Sequence, residues 1–361
     1  MKKILFETHH LYYWPNYRSI IDELKNRKNY CIDASMPIRT SLVEKKILKE
    51  ACTELKIEFI DENNETSRIQ KILNNKYDII IVGNVGQLNK IANNHTIAVM
   101  VYHGIGLKQS YYKDIDERID IRSVESVNRY DKLKKLGHKN ISMTGYTKLD
   151  RLKNIDEEEI SIIKKTLNLD FSKKTILFAP TFYPTSLELL YNELAVLSQE
   201  CNVIIKLHGF SWEQKRFQYQ SEMYKKLAKK HSSIALLDKT IYDIIPYYKI
   251  ADLLITDISS TLFEFLPLDK PIVQAQCFTL RLKHKIFRKR FWQKLDLNRL
   301  ENVSFAYKID RPEDLLSRVF YALENPREMS KKRELALKKF LFNFDGKASS
   351  RLMNAIEEFK N

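Results

Sequence analysis

Long apolar runs are missing from this chain of 361 residues. None approaches the ~20 residues needed to cross a bilayer, which excludes a membrane-spanning helix. The opening stretch, MKKILFETHHLYYW, carries two lysines but only a brief apolar segment before Glu7 and two histidines. It is read as a first strand and not as a cleaved leader. Paired cysteines are missing too. Cys31, Cys52, Cys201 and Cys277 are scattered, without the spacing of a zinc or redox motif, so a reduced, cytoplasmic protein is expected. There is no zinc-finger, RNA-recognition or helix-turn-helix signature, no internal repeat and no low-complexity segment. No carboxylate cluster has the spacing of a metal site, and neither a metal nor a cofactor is expected.

Positive charge, by contrast, is abundant: 61 Lys and Arg against 46 Asp and Glu leave a net charge of +15. Such a balance favours anionic partners, whether nucleic acid, an anionic membrane surface or phosphorylated substrates. With no nucleic-acid motif in the chain, the last two lead and no nucleic-acid partner is expected. The length allows two domains with full-sized cores, and the hydrophobic fraction of 44% is ordinary for a soluble protein.

Strand-like and helix-like segments alternate along almost the whole chain, the pattern of an α/β protein with parallel sheets. Strands are expected at residues 4–6, 31–34, 57–60, 77–82, 97–101 and 141–143, and again at 175–178, 203–205, 234–237, 253–255 and 272–273. Helices are expected over 19–28, 42–55 and 69–73, and in the tail over 333–360 with a break at FNFDGKASS. Residues 151–174 carry an acidic run with little to bury and read as a linker. The expected division is a Rossmann-like domain over 1–155, a second over 156–340, and a helical tail over 341–361 that packs back toward the first. Two doubly wound domains facing across a cleft, with ligands at the carboxyl ends of their strands, is the implied architecture.

Residues 251–271, ADLLITDISSTLFEFLPLDKP, organise the rest. Leu253, Leu254 and Ile255 form an apolar run suited to a strand buried on both faces. Thr256 and Asp257 end it. Ser259, Ser260 and Thr261 then precede a helix-like segment with Leu262, Phe263, Phe265 and Leu266. A hydroxyl-rich strand-to-helix turn of this kind offers free N–H groups to a phosphate or diphosphate. The plainer reading is a helix cap alone.

Other candidates lie just after strands. His103 stands in a glycine-bracketed loop, suited to proton transfer or to a tight structural turn. Lys206 and His208 lie two apart, so an extended chain would aim both at one anion, the plainer reading being a solvated lysine beside a structural histidine. Pro180 stops a strand and Thr181 follows with a hydroxyl. Gly145 opens a turn that leads to Lys148. His9 and His10 sit in the first loop with Tyr12, Tyr13 and Trp14, where they would receive an acceptor or simply pack. Residues 281–294, RLKHKIFRKRFWQK from Arg281 to Lys294, mix seven Lys and Arg with Ile286, Phe287, Phe291 and Trp292. That mixture suits an anionic membrane surface, where each cation contributes ~1 kcal/mol. An anionic polymer or a solvated helix fits it as well.

Taken in order, these residues resemble the CDP-glycerol glycerophosphotransferase family of teichoic-acid and capsule synthesis. The resemblance rests on His103 and Gly104 with Lys108, GYTKLD at 145–150, LFAPTF at 177–182, IKLH at 205–208, the 251–271 segment and DGKAS at 345–349. It implies a GT-B-like pair of Rossmann-type domains, the first for the acceptor and the second for a CDP-polyol donor. It also implies phosphotransfer to a lipid-linked or glycan acceptor, release of CMP, and a cytoplasmic enzyme peripheral on the inner face of the membrane. In this reading His103 is the general base. His208 and Lys206 bind the diphosphate with Ser259, Ser260, Thr261 and Thr181, Glu264 touches the donor ribose, and Asp257 orients the turn. His9, His10, Gly104, Lys108 and Lys148 fall to the acceptor. The chain departs from the family pattern at Ile105 and Gly106 after His-Gly, at Thr147 and Lys148, at Gly209 where proline is usual, and at Ile258 where tyrosine is usual. A nucleotide-sugar glycosyltransferase of surface polysaccharide synthesis with the same architecture is the nearest rival. A basic nucleic-acid-binding protein and a degenerate binding protein are further ones.

Overall fold

The computed structural model describes residues 1–105, 112, 117–287, 292, 293, 295, 296, 299 and 302–359. Among them the chain divides into two compact units. The first takes in Met1–Gly104, the stretch that ends at Lys153 and the C-terminal residues from Lys339; the second takes in Ile105 and Asn154–Lys338.

The first unit is built on β1 (Lys2–Glu7), β2 (Tyr30–Ser35), β3 (Glu58–Ile60), β4 (Ile79–Val82), β5 (Ile97–Val101), β6 (Ile121–Val124) and β7 (Ile141–Met143), ordered β3-β2-β1-β4-β5-β6-β7. The second is built on β8 (Thr175–Phe178), β9 (Asn202–Ile205), β10 (Ile234–Leu236), β11 (Leu253–Thr256), β12 (Ile272–Ala275) and β13 (Tyr307–Ile309), ordered β10-β9-β8-β11-β12-β13. Neighbouring strands in both sheets pair in parallel. Runs such as Ile79–Val82 and Leu253–Thr256 are buried along their whole length, as strands covered by helices on both faces must be. Each buried Ile, Leu or Phe contributes roughly 1.5–3 kcal/mol, and the cores gather around Leu5, Ile80 and Met100 in one unit and Phe178, Ile205 and Ile255 in the other.

In each sheet the chain starts in the middle, winds to one edge, and returns to the other side of its first strand. The direction of winding therefore reverses between β1 and β4 and between β8 and β11. At such reversals adjacent loops part and leave a crevice at the carboxyl ends of the strands.

Two strands were not expected from the sequence. In β6 the apolar pattern is broken by Arg122, which is nonetheless buried. In β13 the exposed Lys308 separates two buried residues. The helix Glu65–Asn75 is longer than its apolar residues suggest, because Asn64 caps it by accepting from the Ser67 N–H. Residues expected as a linker hold the helix Glu157–Thr166. Its acidic run fills the first turn, after an Asp156 cap, where carboxylates favour the helix dipole.

The helix Ala348–Phe359 belongs to the first unit. Arg27 donates to Glu357 (2.9 Å) and Asn354 (2.7 Å), and Tyr30 donates to Glu357 (2.6 Å). Its start is held by Asp150, whose carboxylate accepts the Ala348 and Ser349 N–H groups at 3.0 and 2.8 Å. Gly145 has φ +100, and a Cβ there would stand 3.0 Å from the Phe342 carbonyl. GYTKLD and DGKAS thus form the two sides of one joint. Asp150→Ala is expected to lower unfolding stability by about 1–2 kcal/mol, since two buried donors lose their cap. A shift of the urea midpoint checks this, and an unchanged midpoint would refute the capping role.

Candidate functional site

In the first unit, His103 follows β5 and leans toward the end of β4. Its Nδ1 lies 3.2 Å from the Gly83 carbonyl oxygen. A carbonyl can only accept, so Nδ1 carries the proton and a neutral ring keeps its lone pair on Nε2. The ring stacks on Tyr13 at 4.1 Å and 13°, with Tyr12 edge-on at 5.3 Å. The His103 carbonyl accepts from the Tyr146 hydroxyl (3.1 Å) and from Asn16 (3.5 Å). A Cβ on Gly83 would stand 2.5 Å from the Tyr13 ring, so residue 83 must be glycine for this stack to form. Tyr13 is further held by Asn84, which donates to its hydroxyl at 2.8 Å. Gly83, Asn16, Asn84 and Tyr146 escaped the sequence reading, because each acts on His103 through backbone or packing.

The acceptor candidates of the first unit separate. His10 is half-buried, stacks on Tyr12 at 5.3 Å and places Nδ1 3.4 Å from Glu44. His9 is buried, and burial first, with His10, Arg39 and Arg68 nearby, pushes its pKa down to about 4. It is a neutral interior ring, not the surface contact expected. Gly104 is also buried, with its carbonyl turned to Arg129, which takes it out of direct acceptor contact. Lys148 is half-buried in the turn Thr147–Asp150, whose Thr147 donates to the Asn16 carbonyl at 2.8 Å. Lys108 lies outside the described residues.

In the second unit, His208 follows β9 and caps the short helix Gly209–Glu213. Its Nδ1 accepts the Phe210 N–H at 3.1 Å, so the proton of the neutral ring is on Nε2. Phe182 and Phe210 flank the ring at 4.8 and 5.1 Å. Lys206 is half-buried and reaches the Leu207 carbonyl at 3.1 Å. The two histidines therefore have opposite polarity: one offers a lone pair at Nε2, the other a proton.

The segment after β11 sorts itself by direction. Ser259 and Ser260 are half-buried, and the Ser259 hydroxyl accepts the Thr261 N–H at 3.4 Å. Thr261 turns inward, its hydroxyl shared with Thr256 (2.7 Å) and the Ala179 carbonyl (3.0 Å). Glu264 is fully buried and accepts from Tyr248 at 2.8 Å. Both were expected to touch the donor; both instead brace the turn from behind. The helix here is the single turn Thr261–Glu264, too short for a strong dipole, so any anion would be held by individual hydroxyl and N–H groups.

Asp257 is fully buried beneath the same turn, which removes it from direct donor contact. It accepts from the Thr181 N–H (2.8 Å), the Ser186 N–H (3.1 Å), and the hydroxyls of Thr185 (3.2 Å) and Ser186 (3.3 Å). Thr181 thus serves through its backbone. Burial raises the Asp257 carboxyl from 3.8 to about 7, against those four donors. A raised folded-state value means stability that is fully present below the unfolded value and lost as pH climbs through the folded one. The advantage of the native chain over Asp257→Asn in denaturant unfolding is therefore expected to shrink from about pH 4 to about pH 7 and then level off. A pH-independent difference would refute the shift.

Part of the 281–294 segment is described. Leu282, Ile286 and Phe287 are 74, 67 and 49% exposed. The segment is tied to the loop after β8, where the Tyr183 hydroxyl meets His284 Nδ1 at 2.6 Å and Arg281 lies 4.4 Å over the Tyr183 ring. Residues 288–291 and 294 lie outside the described residues. Among the described residues, no helix is long and apolar enough to cross a membrane.

Comparison with known proteins places the chain in a family. The family model described as CDP-Glycerol:Poly(glycerophosphate) glycerophosphotransferase matches residues 64–358. Over 154 residues the chain is 32% identical to the teichoic acid poly(glycerol phosphate) polymerase of Bacillus subtilis (strain 168), a match that takes in 38% of this chain and 18% of that protein. Among solved structures, the wall teichoic acid polymerase TagF is similar with a TM-score of 0.68 and 17% identity, over 99% of this chain and 89% of that one. The S. aureus MnaA–UDP co-structure is similar with a TM-score of 0.65 and 16% identity, over 100% and 97%. At such identities the likeness is one of fold, the GT-B-like α/β class.

Proposed function

The chain belongs to the CDP-glycerol:poly(glycerophosphate) glycerophosphotransferase family, and from that membership we propose that it transfers a polyol phosphate from a CDP-polyol to a hydroxyl of a membrane-associated glycan or lipid acceptor, releasing CMP. The acceptor oxygen forms a bond to the β-phosphorus as the bond from that phosphorus to the CMP oxygen breaks. CMP departs with the electron pair, and the acceptor proton passes to His103 Nε2. CMP is already a good leaving group, so alignment and charge neutralisation dominate the demand. His208 Nε2–H, the Lys206 ammonium and the hydroxyls of Ser259 and Ser260 supply it on the donor diphosphate.

The observation that carries this reading is the opposite polarity of the two histidines, set by the Gly83 carbonyl at one and the Phe210 N–H at the other. A base needs a lone pair and an anion binder needs a proton. His10 and Lys148 remain the acceptor contacts of the proposal.

The test is CMP release by the purified chain from CDP-glycerol and from CDP-ribitol, with and without membrane extract. Release that requires the extract supports the transfer and identifies the polyol. No release from either donor, with turnover of a UDP- or GDP-sugar, would move the chain to the glycosyltransferases.

The membrane enters the proposal through Arg281, Leu282, Ile286 and Phe287, which place apolar side chains beside cations, as a peripheral enzyme on the inner face of the membrane requires. Sedimentation with anionic vesicles is expected to fall about tenfold in Leu282→Asp/Ile286→Asp, on the scale of ~0.8 kcal/mol per buried CH₂. Equal sedimentation of the variant would exclude this segment as the contact.

A further inference from the structure

Arg129 lies in the helix Val127–Lys135 with no exposed surface. Its Nε is 2.6 Å from a carboxylate oxygen of Glu125, which is itself buried. Glu125 is fixed in turn: its carboxylate accepts the Ser126 hydroxyl at 3.1 Å, and its carbonyl accepts the Phe342 N–H at 2.7 Å. The guanidinium lies 4.8 Å over the ring of Tyr102 and 5.5 Å over that of Tyr112. One of its terminal nitrogens donates to the Gly104 carbonyl at 3.2 Å.

Tyr102 and Gly104 are the two residues that flank His103. One buried guanidinium therefore grips the ring on one side of the histidine and the peptide on the other. Two charges taken out of water cost more than an equivalent apolar pair would. Arg129 and Leu133 are the buried residues of that helix, and the Arg129 guanidinium reaches both neighbours of His103. We propose that Arg129 is the positioning residue of His103, holding the 102–104 backbone so that Nδ1–H meets the Gly83 carbonyl and the lone pair stays on Nε2. Free neutral histidine prefers the opposite tautomer, with the proton on Nε2, so the base form of His103 is imposed by this grip.

The inference rests on the reading of His103 as the base, but it is tested without turnover. The measurement is ¹⁵N–¹H correlation of the histidine rings in the full chain, with the His103 signals assigned by their loss in His103→Gln. The native chain is expected to show His103 neutral with Nδ1 protonated. In Arg129→Met the ring is expected to revert to the Nε2-protonated form. CMP release is expected to fall about 100-fold in kcat, the order produced by a ~1 Å misplacement, with the donor KM unchanged. Arg129→Lys keeps a cation for Glu125 but lacks the fork that also reaches Gly104. It is expected to fold and to show the same reversal, and it decides the matter if the methionine variant does not fold. A folded variant of either kind that retains the Nδ1-protonated ring would overturn the proposal. Activity surviving in His103→Ala would instead sink the base assignment and leave the tautomer result standing by itself.

Discussion

Replacing His103 by alanine is expected to lower kcat for CMP release by about 100- to 10,000-fold, the usual contribution of a general base. The donor KM should hardly move, because the ring lies in the first unit while His208, Lys206 and the serines assigned to the donor belong to the second. Loss in kcat and kcat/KM together is the signature of an interaction made in the transition state. The local environment gives the ring little freedom: it is stacked on Tyr13, and its Nδ1 is committed to the Gly83 carbonyl. His103→Gln sharpens the result. Its amide can still donate to Gly83 but has no basic nitrogen, so it should be as inactive as alanine and more stable. Appreciable turnover in either variant would mean that another group, or water, takes the proton.

The second large effect is expected at His208. Its removal deletes the Nε2–H proposed to hold the donor and leaves the Phe210 N–H without its cap. Alanine should cost about 100- to 1,000-fold in kcat, the range seen when one donor to a developing oxyanion is lost. Part of that loss would be structural. Asparagine separates the parts, because its side-chain oxygen can accept from the Phe210 N–H as a good N-cap residue does. His208→Asn is therefore expected to unfold with the native chain while remaining far less active. If asparagine restored activity fully, His208 would be a cap and nothing more.

Much of the fold was legible in the sequence because the strands of parallel sheets are written as short apolar runs. The residues after those runs mark the carboxyl edges, which is why His103, His208 and the 257–261 turn stood out. What stayed hidden depended on direction and distance. Period and spacing place Thr261 and Glu264 on the turn after β11, yet only the surrounding chain decides that both face inward, to Ala179 and to Tyr248. Arg122 disguised a strand because its neighbours, not its own chemistry, bury it. GYTKLD looked like a ligand loop, since the partner of Asp150 lies 198 residues further on. The polarity of each histidine was equally invisible, being set by a backbone carbonyl in one case and a backbone N–H in the other.

That long-range joint has a consequence during synthesis. The ribosome delivers residues 1–153 before the second unit, but the helix Ala348–Phe359 that completes the first unit emerges only after it. Until it does, Arg27 lacks Glu357 and Asn354, Asp150 has no N–H groups to accept, and the helix Trp14–Arg27 presents a bare side to solvent. The second unit, whose strands β8 to β13 all lie between Asn154 and Lys338, has them in hand before that moment. Domains usually mature in the order they are made; here the later one closes first, and the unit bearing His103 acquires its finished form only when residues 348–359 have left the exit tunnel.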